Sequence, residues 1–198
     1  LAQFERTDTG AQAVYGVVQG GVYHDLRAES AAYTADRAYF GTAIGGAFGN
    51  KHGDFFDIVA SCMPHVHPLR PIHMLGIGEF LDIFECVKMG ADTFDCVSPT
   101  RIARHGWALM KGVPGGRFNM RNARFREDPA PLDETMPHLC SNGYSRAYIR
   151  HLIKAGEILG MQILAQHNVA VMVRLMTEIR MAILEDRLDA LQKEWIVS

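Results

Sequence analysis

Residues 92–106, DTFDCVSPTRIARHG, gather side chains that can do chemistry together. An apolar stretch ends in a carboxylate, Asp95, and Pro99, Thr100, Arg101 and Arg104 follow within nine residues. A carboxylate at a strand end can attack an electrophilic carbon and hold a covalent intermediate. Guanidinium groups close behind it offer a positive field and a bidentate grip for phosphate. A carboxylate in this position also caps turns, and these residues alone leave the two roles level. Gln19 closes an earlier apolar run, VYGVVQG, and its amide carries both a donor and an acceptor, which suits the edge of a purine. Gly45, Gly46 and Ala47 close another, and would leave backbone N–H and C=O groups facing a flat ligand. Taken singly, each of these is more often an ordinary glycine turn.

The nine histidines invite a metal reading. His65 and His67 sit between prolines, in what reads as a loop, and His138, Cys140 and His167 are further candidate ligands. No complete tetrahedral set stands at a recognised spacing, so spacing alone predicts no metal site.

These residues need elements to position them. Runs 14–20, 39–46 and 72–78 are β-rich and end in glycine, and 93–99 ends in proline. Helical patterning lies between them, at 22–35, 54–62 and 79–89. Strand alternating with helix predicts βα units on a parallel sheet. In such folds the C-terminal strand ends carry the site. Four units make half of an eight-stranded (β/α)₈ barrel or a small open sheet, because four strands cannot close a barrel by themselves. Residues 107–131 read as short strands and turns around Pro114, Gly115 and Gly116. One amphipathic helix is predicted over 144–160, capped by Asn142 or Ser145, with Tyr148, Ile149, Leu152, Ile153, Ile158 and Leu159 as its stripe. A second is predicted to turn Val169, Met172, Leu175, Met176, Ile179 and Ile183 inward, and 186–191 continues or restarts it.

Composition excludes little. The chain has 198 residues, a net charge of −2 and 48% hydrophobic residues, as an ordinary globular protein does. No apolar run is expected to span a bilayer. The first residues, LAQFERTDTG, read as neither signal nor transit peptide, and a start at Leu1 suggests a processed, cut or partial chain. Four cysteines without a CxxC pair suit a reduced, cytoplasmic protein. Residues 101–126 hold seven Lys/Arg and no Asp or Glu, which is either a nucleic-acid footprint or a solvated surface.

In order, the runs YGVVQGGVYHDLRAES, AIGG, HMLGIG, DTFDCVSPTRIARHG, NMRNARF, PLD, YSRAYIRHLIKAGEILG and HN resemble the tRNA-guanine transglycosylases (queuine tRNA-ribosyltransferases) across nearly the whole chain. The resemblance implies the C-terminal half of a (β/α)₈ TIM barrel: four βα units over 1–106, then a small β insertion, zinc-binding in the family, with C-terminal helices over 107–198. It implies exchange of the wobble guanine of tRNA for a 7-deazaguanine. Asp95 would be the nucleophile; Gln19, Gly45, Gly46, the backbone at Ala47 and Leu75 would bind the base; Gly76, Gly78, Thr100, Arg101 and Arg104 would hold the anticodon loop. The implied partners are tRNA, a free 7-deazaguanine base and, as family members are homodimers, a second copy.

The chain also departs from the family. The general acid/base Asp and the Asp that reads the guanine edge belong to the family's N-terminal half and have no counterpart here. The family's zinc cysteines fall on Met136, His138 and Ser141; only His167 stays in register, and Cys140 is one residue off. A zinc site built on His138 and His167 is therefore incomplete. A non-catalytic tRNA-binding homologue or partner subunit is the competing reading.

Overall fold

The computed structural model describes residues 1–46 and 52–197. Two compact units divide it, Leu1–Cys96 and Val97–Ser198, so that residues 97–106 fall with the second.

After a short helix α1 (Ala2–Thr7), the first unit alternates strictly: β1 (Tyr15–Val18), α2 (His24–Ala35), β2 (Gly41–Ile44), α3 (His52–Cys62), β3 (Ile72–Leu75), α4 (Phe80–Met89) and β4 (Thr93–Asp95). All four strands are parallel, in the order β1-β2-β3-β4. The expected βα rhythm is thus present, with strands shorter than their apolar runs because the glycines and polar residues after each lie in turns. One register row, Val18, Ile44 and Met74, is fully buried and packs with Ala31, Val59 and Cys86 into the unit's core. The neighbouring row, Val17, Ala43, His73 and Thr93, points the other way, since side chains alternate along a strand. There Val17 is 46% exposed.

The second unit holds α5 (Ser98–Ala103), an antiparallel pair β5 (Trp107–Leu109) and β6 (Arg117–Asn119), α6 (Leu139–Asn142), α7 (Arg146–Ala155), α8 (Ile158–Leu184) and α9 (Leu188–Trp195). The single helix expected over 144–160 is two. Ser145 does cap the first, accepting from the Tyr148 amide, but Gly156 adopts φ +78 and ends it. The stripe therefore resets: Ile149, Leu152 and Ile153 are buried, whereas Ile158 and Leu159 start α8 and are exposed. On α8 Leu175 and Ile179 face inward as expected, while Val169 and Ile183 are exposed. Two buried polar residues, His167 and Asn168, set that rotation. Asn168 accepts from the Leu109 amide (2.8 Å) and donates to the carbonyls of Pro99 (2.9 Å) and Trp107 (3.1 Å), all while fully buried. Residues 186–191 restart a helix, as α9.

By length and composition alone, α8 is apolar enough to cross a membrane. Its inward face nevertheless carries His167 and Asn168 as well as aliphatic groups, and Arg174, Glu178 and Arg180 occupy its second half. That is the make-up of a core helix.

Candidate functional site

The site is built from strand ends. Leu75 pairs in register with Asp95, and Gly45 and Gln19 stand one residue beyond the pairs Ile44–Met74 and Val18–Ile44. Gln19, Gly45, Leu75 and Asp95 thus form one row across four parallel strands at their C-terminal edge. The topology brings together residues spread over 77 positions (19 to 95) for the reason found in α/β folds generally: parallel strands put all their C-terminal ends on one side.

Local geometry shapes each member. At Gly45 an added Cβ would stand 2.7 Å from Leu75 Cδ1, so only glycine lets the leucine lie flat across the neighbouring strand. Gly46 takes φ +88, a conformation side chains rarely adopt, and a methyl there would be 3.7 Å from both Gln19 Oε1 and Arg27 Nη2. Gln19 and Gly46 are therefore neighbours. Ala47 lies outside the described residues. Gly76 and Gly78 occupy the turn after β3, and the Gly76 amide donates to Asp95 Oδ1 at 3.2 Å. Asp95 stays 58% exposed, open to a reactant. Thr100, Arg101 and Arg104 belong to α5 and its C-cap in the second unit, where both arginines are exposed.

Two residues escaped the reading from sequence. Arg27 on α2 is completely buried. Its Nε donates to Gly21 O (2.8 Å), and its Nη1 to Gly45 O (2.7 Å) and, more weakly, Val18 O (3.4 Å). One guanidinium thereby ties the turn that carries Gln19 to the turn that carries Gly46. Burial pushes its pKa down and nearby Cys62 pushes it up, yet a guanidinium stays charged at any ordinary pH. The second is His73, whose Nε2 lies 3.1 Å from Asp95 Oδ1. In an αβ strand pattern an arginine reads as solvated and a strand histidine as packing, so neither carried a signal.

The basic run 101–126 is not uniformly available. Lys111 Nζ is held by Glu178 and Glu194, each at 2.8 Å, and the Arg124 guanidinium lies over the rings of Phe118 and Phe125.

The candidate zinc ligands are engaged otherwise. His138 Nδ1 accepts from the Cys140 amide and caps α6. His167 is fully buried; its Nε2 faces the Leu109 carbonyl (2.8 Å) and its Nδ1 the Ser141 hydroxyl (2.9 Å). A carbonyl only accepts, so Nε2 carries the proton and Ser141 donates to Nδ1. Burial lowers the His167 pKa and suits this neutral tautomer. Both ring nitrogens are occupied, Met136 is buried, and no group of three or more His, Cys, Asp or Glu among the described residues is placed to hold a metal ion. This donor set does not fit tetrahedral zinc.

The family model described as queuine tRNA-ribosyltransferase matches residues 1–198. Among similar proteins, the queuine tRNA-ribosyltransferase of Roseiflexus sp. (strain RS-1) is 44% identical over 186 residues, 93% of this chain and 46% of that protein. That of Synechococcus elongatus is 45% identical over 177 residues, 89% of this chain and 45% of that protein. A putative queuine tRNA-ribosyltransferase of Archaeoglobus fulgidus is 41% identical over 191 residues, 93% and 47% respectively. The chain spans about half the length of the curated relatives it matches.

Proposed function

This chain belongs to the queuine tRNA-ribosyltransferase family, and from that premise we propose that it supplies the nucleophile and part of the base pocket for guanine exchange in tRNA. The observation that carries the reading is the row Gln19, Gly45, Leu75 and Asp95 at one sheet edge. Along that edge stand an exposed carboxylate, a flat aliphatic surface, a glycine whose carbonyl Arg27 already holds, and an amide, a set that suits a purine nucleoside. The exposed Val17 and Thr93 on the same sheet face support a half-barrel, because parallel sheets are ordinarily covered on both faces.

In this reading Asp95 Oδ2 attacks C1′ of the wobble ribose. The C1′–N9 bond breaks, and its electron pair leaves with guanine, which takes a proton from a general acid outside these residues. N9 of the incoming 7-deazaguanine then bonds to C1′, expels the carboxylate and gives its proton back to that group. Two displacements at one carbon retain its configuration. The target base must leave its stack to be reached, and exposed Arg101 and Arg104 would grip the flanking phosphates.

The test uses the native protein that carries this chain. Incubation with tRNA bearing wobble guanosine, followed by a denaturing quench, is expected to leave a covalent protein–tRNA species that excess guanine discharges. The linked peptide should contain Asp95. A linkage at another residue would sink the assignment, and tRNA binding without any adduct would favour the non-catalytic homologue.

We infer as well that the second unit keeps its fold without zinc. The Ser141–His167–Leu109 hydrogen bonds support this, since they join α6, α8 and β5 where a metal would otherwise do so. Exhaustive chelation is expected to leave the thermal midpoint unchanged. A collapse of the fold on chelation, as in small zinc domains, would overturn the inference.

A further inference from the structure

His73 does more than pack against its neighbours. It stands on β3 directly opposite Thr93 on β4, and Asp95 lies two residues further along that strand. All three share the sheet face away from the core, so His73 reaches one neighbour across the ladder and the other along the diagonal. Its Nε2 is 3.1 Å from Asp95 Oδ1, and its Nδ1 is 2.8 Å from Thr93 Oγ1. On the remaining side Tyr15 meets the imidazole edge-on, with ring centroids 6.1 Å apart. Tyr15 can lie there because Gly41 has no side chain; a Cβ at that position would come within 2.4 Å of the tyrosine ring.

These contacts settle which nitrogen carries the proton in the neutral ring. A carboxylate oxygen can only accept, so Nε2 donates to Asp95. Nδ1 is then the acceptor, and the Thr93 hydroxyl donates to it. The Gly76 amide is the second donor to the same carboxylate oxygen, at 3.2 Å. Oδ1 therefore has two donors, while among the described residues none is found at Oδ2.

We propose that His73, its ring held in place by Thr93, is a positioning residue that fixes Oδ1 of Asp95 and thereby selects Oδ2 as the attacking atom. This rests on Asp95 being the nucleophile. In the covalent intermediate Oδ2 is the ester oxygen bonded to C1′ and Oδ1 the carbonyl oxygen. When N9 of the incoming base bonds to C1′ and the C1′–Oδ2 bond breaks, that bond's electron pair returns to the carboxylate, and the base's N–H proton goes to the acid/base group outside these residues. His73 and Gly76 are then already aimed at the group on which negative charge develops, a placement that favours the second displacement.

The experiment compares Asp95→Asn, His73→Ala, His73→Gln and Thr93→Val in the native protein, by labelled-guanine exchange, adduct trapping and thermal denaturation. His73→Ala is expected to lower kcat on the order of 10²-fold, as loose placement of a reacting group does. Its KM for tRNA and its melting midpoint should stay near those of the unaltered protein. His73→Gln, which keeps an N–H donor, should recover most of that loss. Thr93→Val should lower kcat several-fold, because Nδ1 then loses its donor and only Asp95 and Tyr15 still orient the ring. If Asp95→Asn abolishes exchange while His73→Ala keeps its kcat, the positioning role is wrong and the nucleophile stands. If Asp95→Asn exchanges freely, the nucleophile itself is wrong. A loss in His73→Ala that appears in KM or in the midpoint, and that His73→Gln does not relieve, reduces the residue to packing and overturns the proposal.

Discussion

An Asp95→Asn protein is expected to lose guanine exchange by at least about 10⁴-fold, the scale on which removal of a covalent nucleophile acts. Its fold should be indifferent to the change. The side chain is 58% exposed, and exposed substitutions of this kind usually fall within about ±0.5 kcal/mol. The amide oxygen of asparagine can take the place of Oδ1 and accept from His73 Nε2 and the Gly76 amide, which lie 3.1 Å and 3.2 Å away. What then replaces Oδ2 is an NH₂ group, whose nitrogen lone pair is delocalised into the carbonyl and attacks no anomeric carbon. Binding of tRNA should persist, because Arg101, Arg104 and the base-facing residues are untouched. The variant should therefore bind tRNA, melt normally and form no adduct. Exchange within about tenfold of the unaltered rate would place the nucleophile elsewhere.

Much of this site was legible because a parallel βα unit is a local object. Apolar runs that end in glycine or a carboxylate mark strand ends, and the topology rule collects those ends on one edge whatever the loop lengths. Gln19, Gly45 and Asp95 could be nominated on that ground, Leu75 only through the family resemblance, and the four stand in one row. The partners of these residues were a different matter. His73 touches Asp95 only because β3 and β4 align Leu75 with Asp95; a slip of one residue would turn it to the opposite face. Register belongs to the sheet, and no single run encodes it.

The second unit teaches the complementary lesson. Periodicity placed Val169 and Ile183 inward on α8 because it counts aliphatic groups and treats asparagine and histidine as solvated. The helix is turned instead by Asn168 and His167, whose hydrogen bonds to β5 are made in the core. Buried polar groups with all their partners are strongly directional. They outrank a weak aliphatic preference, and their partners lie 58 to 61 residues away in sequence, beyond any local pattern. The Tyr144 region failed for a smaller reason. One glycine in the left-handed region, Gly156, is enough to end α7 and shift the inward face of everything after it.

Arg27→Met is expected to destabilise the first unit by about 2–5 kcal/mol, the cost of leaving two well-bonded carbonyls without their donor. Methionine fills similar space, so the loss isolates hydrogen bonding from cavity formation. The carbonyls of Gly21 and Gly45 then lose donors at 2.8 Å and 2.7 Å, and that of Val18 a weaker one. A buried carbonyl left without a partner costs roughly 1–3 kcal/mol. These carbonyls belong to the turns that present Gln19 and Gly46, so the same change should loosen the base pocket. The expected signature is a lower denaturant midpoint with an unchanged slope, together with a KM for the free base that rises more than the KM for tRNA. Arg27→Lys should rescue little, because one ammonium on a flexible stem cannot reach both turns as a planar guanidinium does. A stability loss under about 1 kcal/mol would mean that water replaces the guanidinium at both turns, and that Arg27 is not what holds the pocket together.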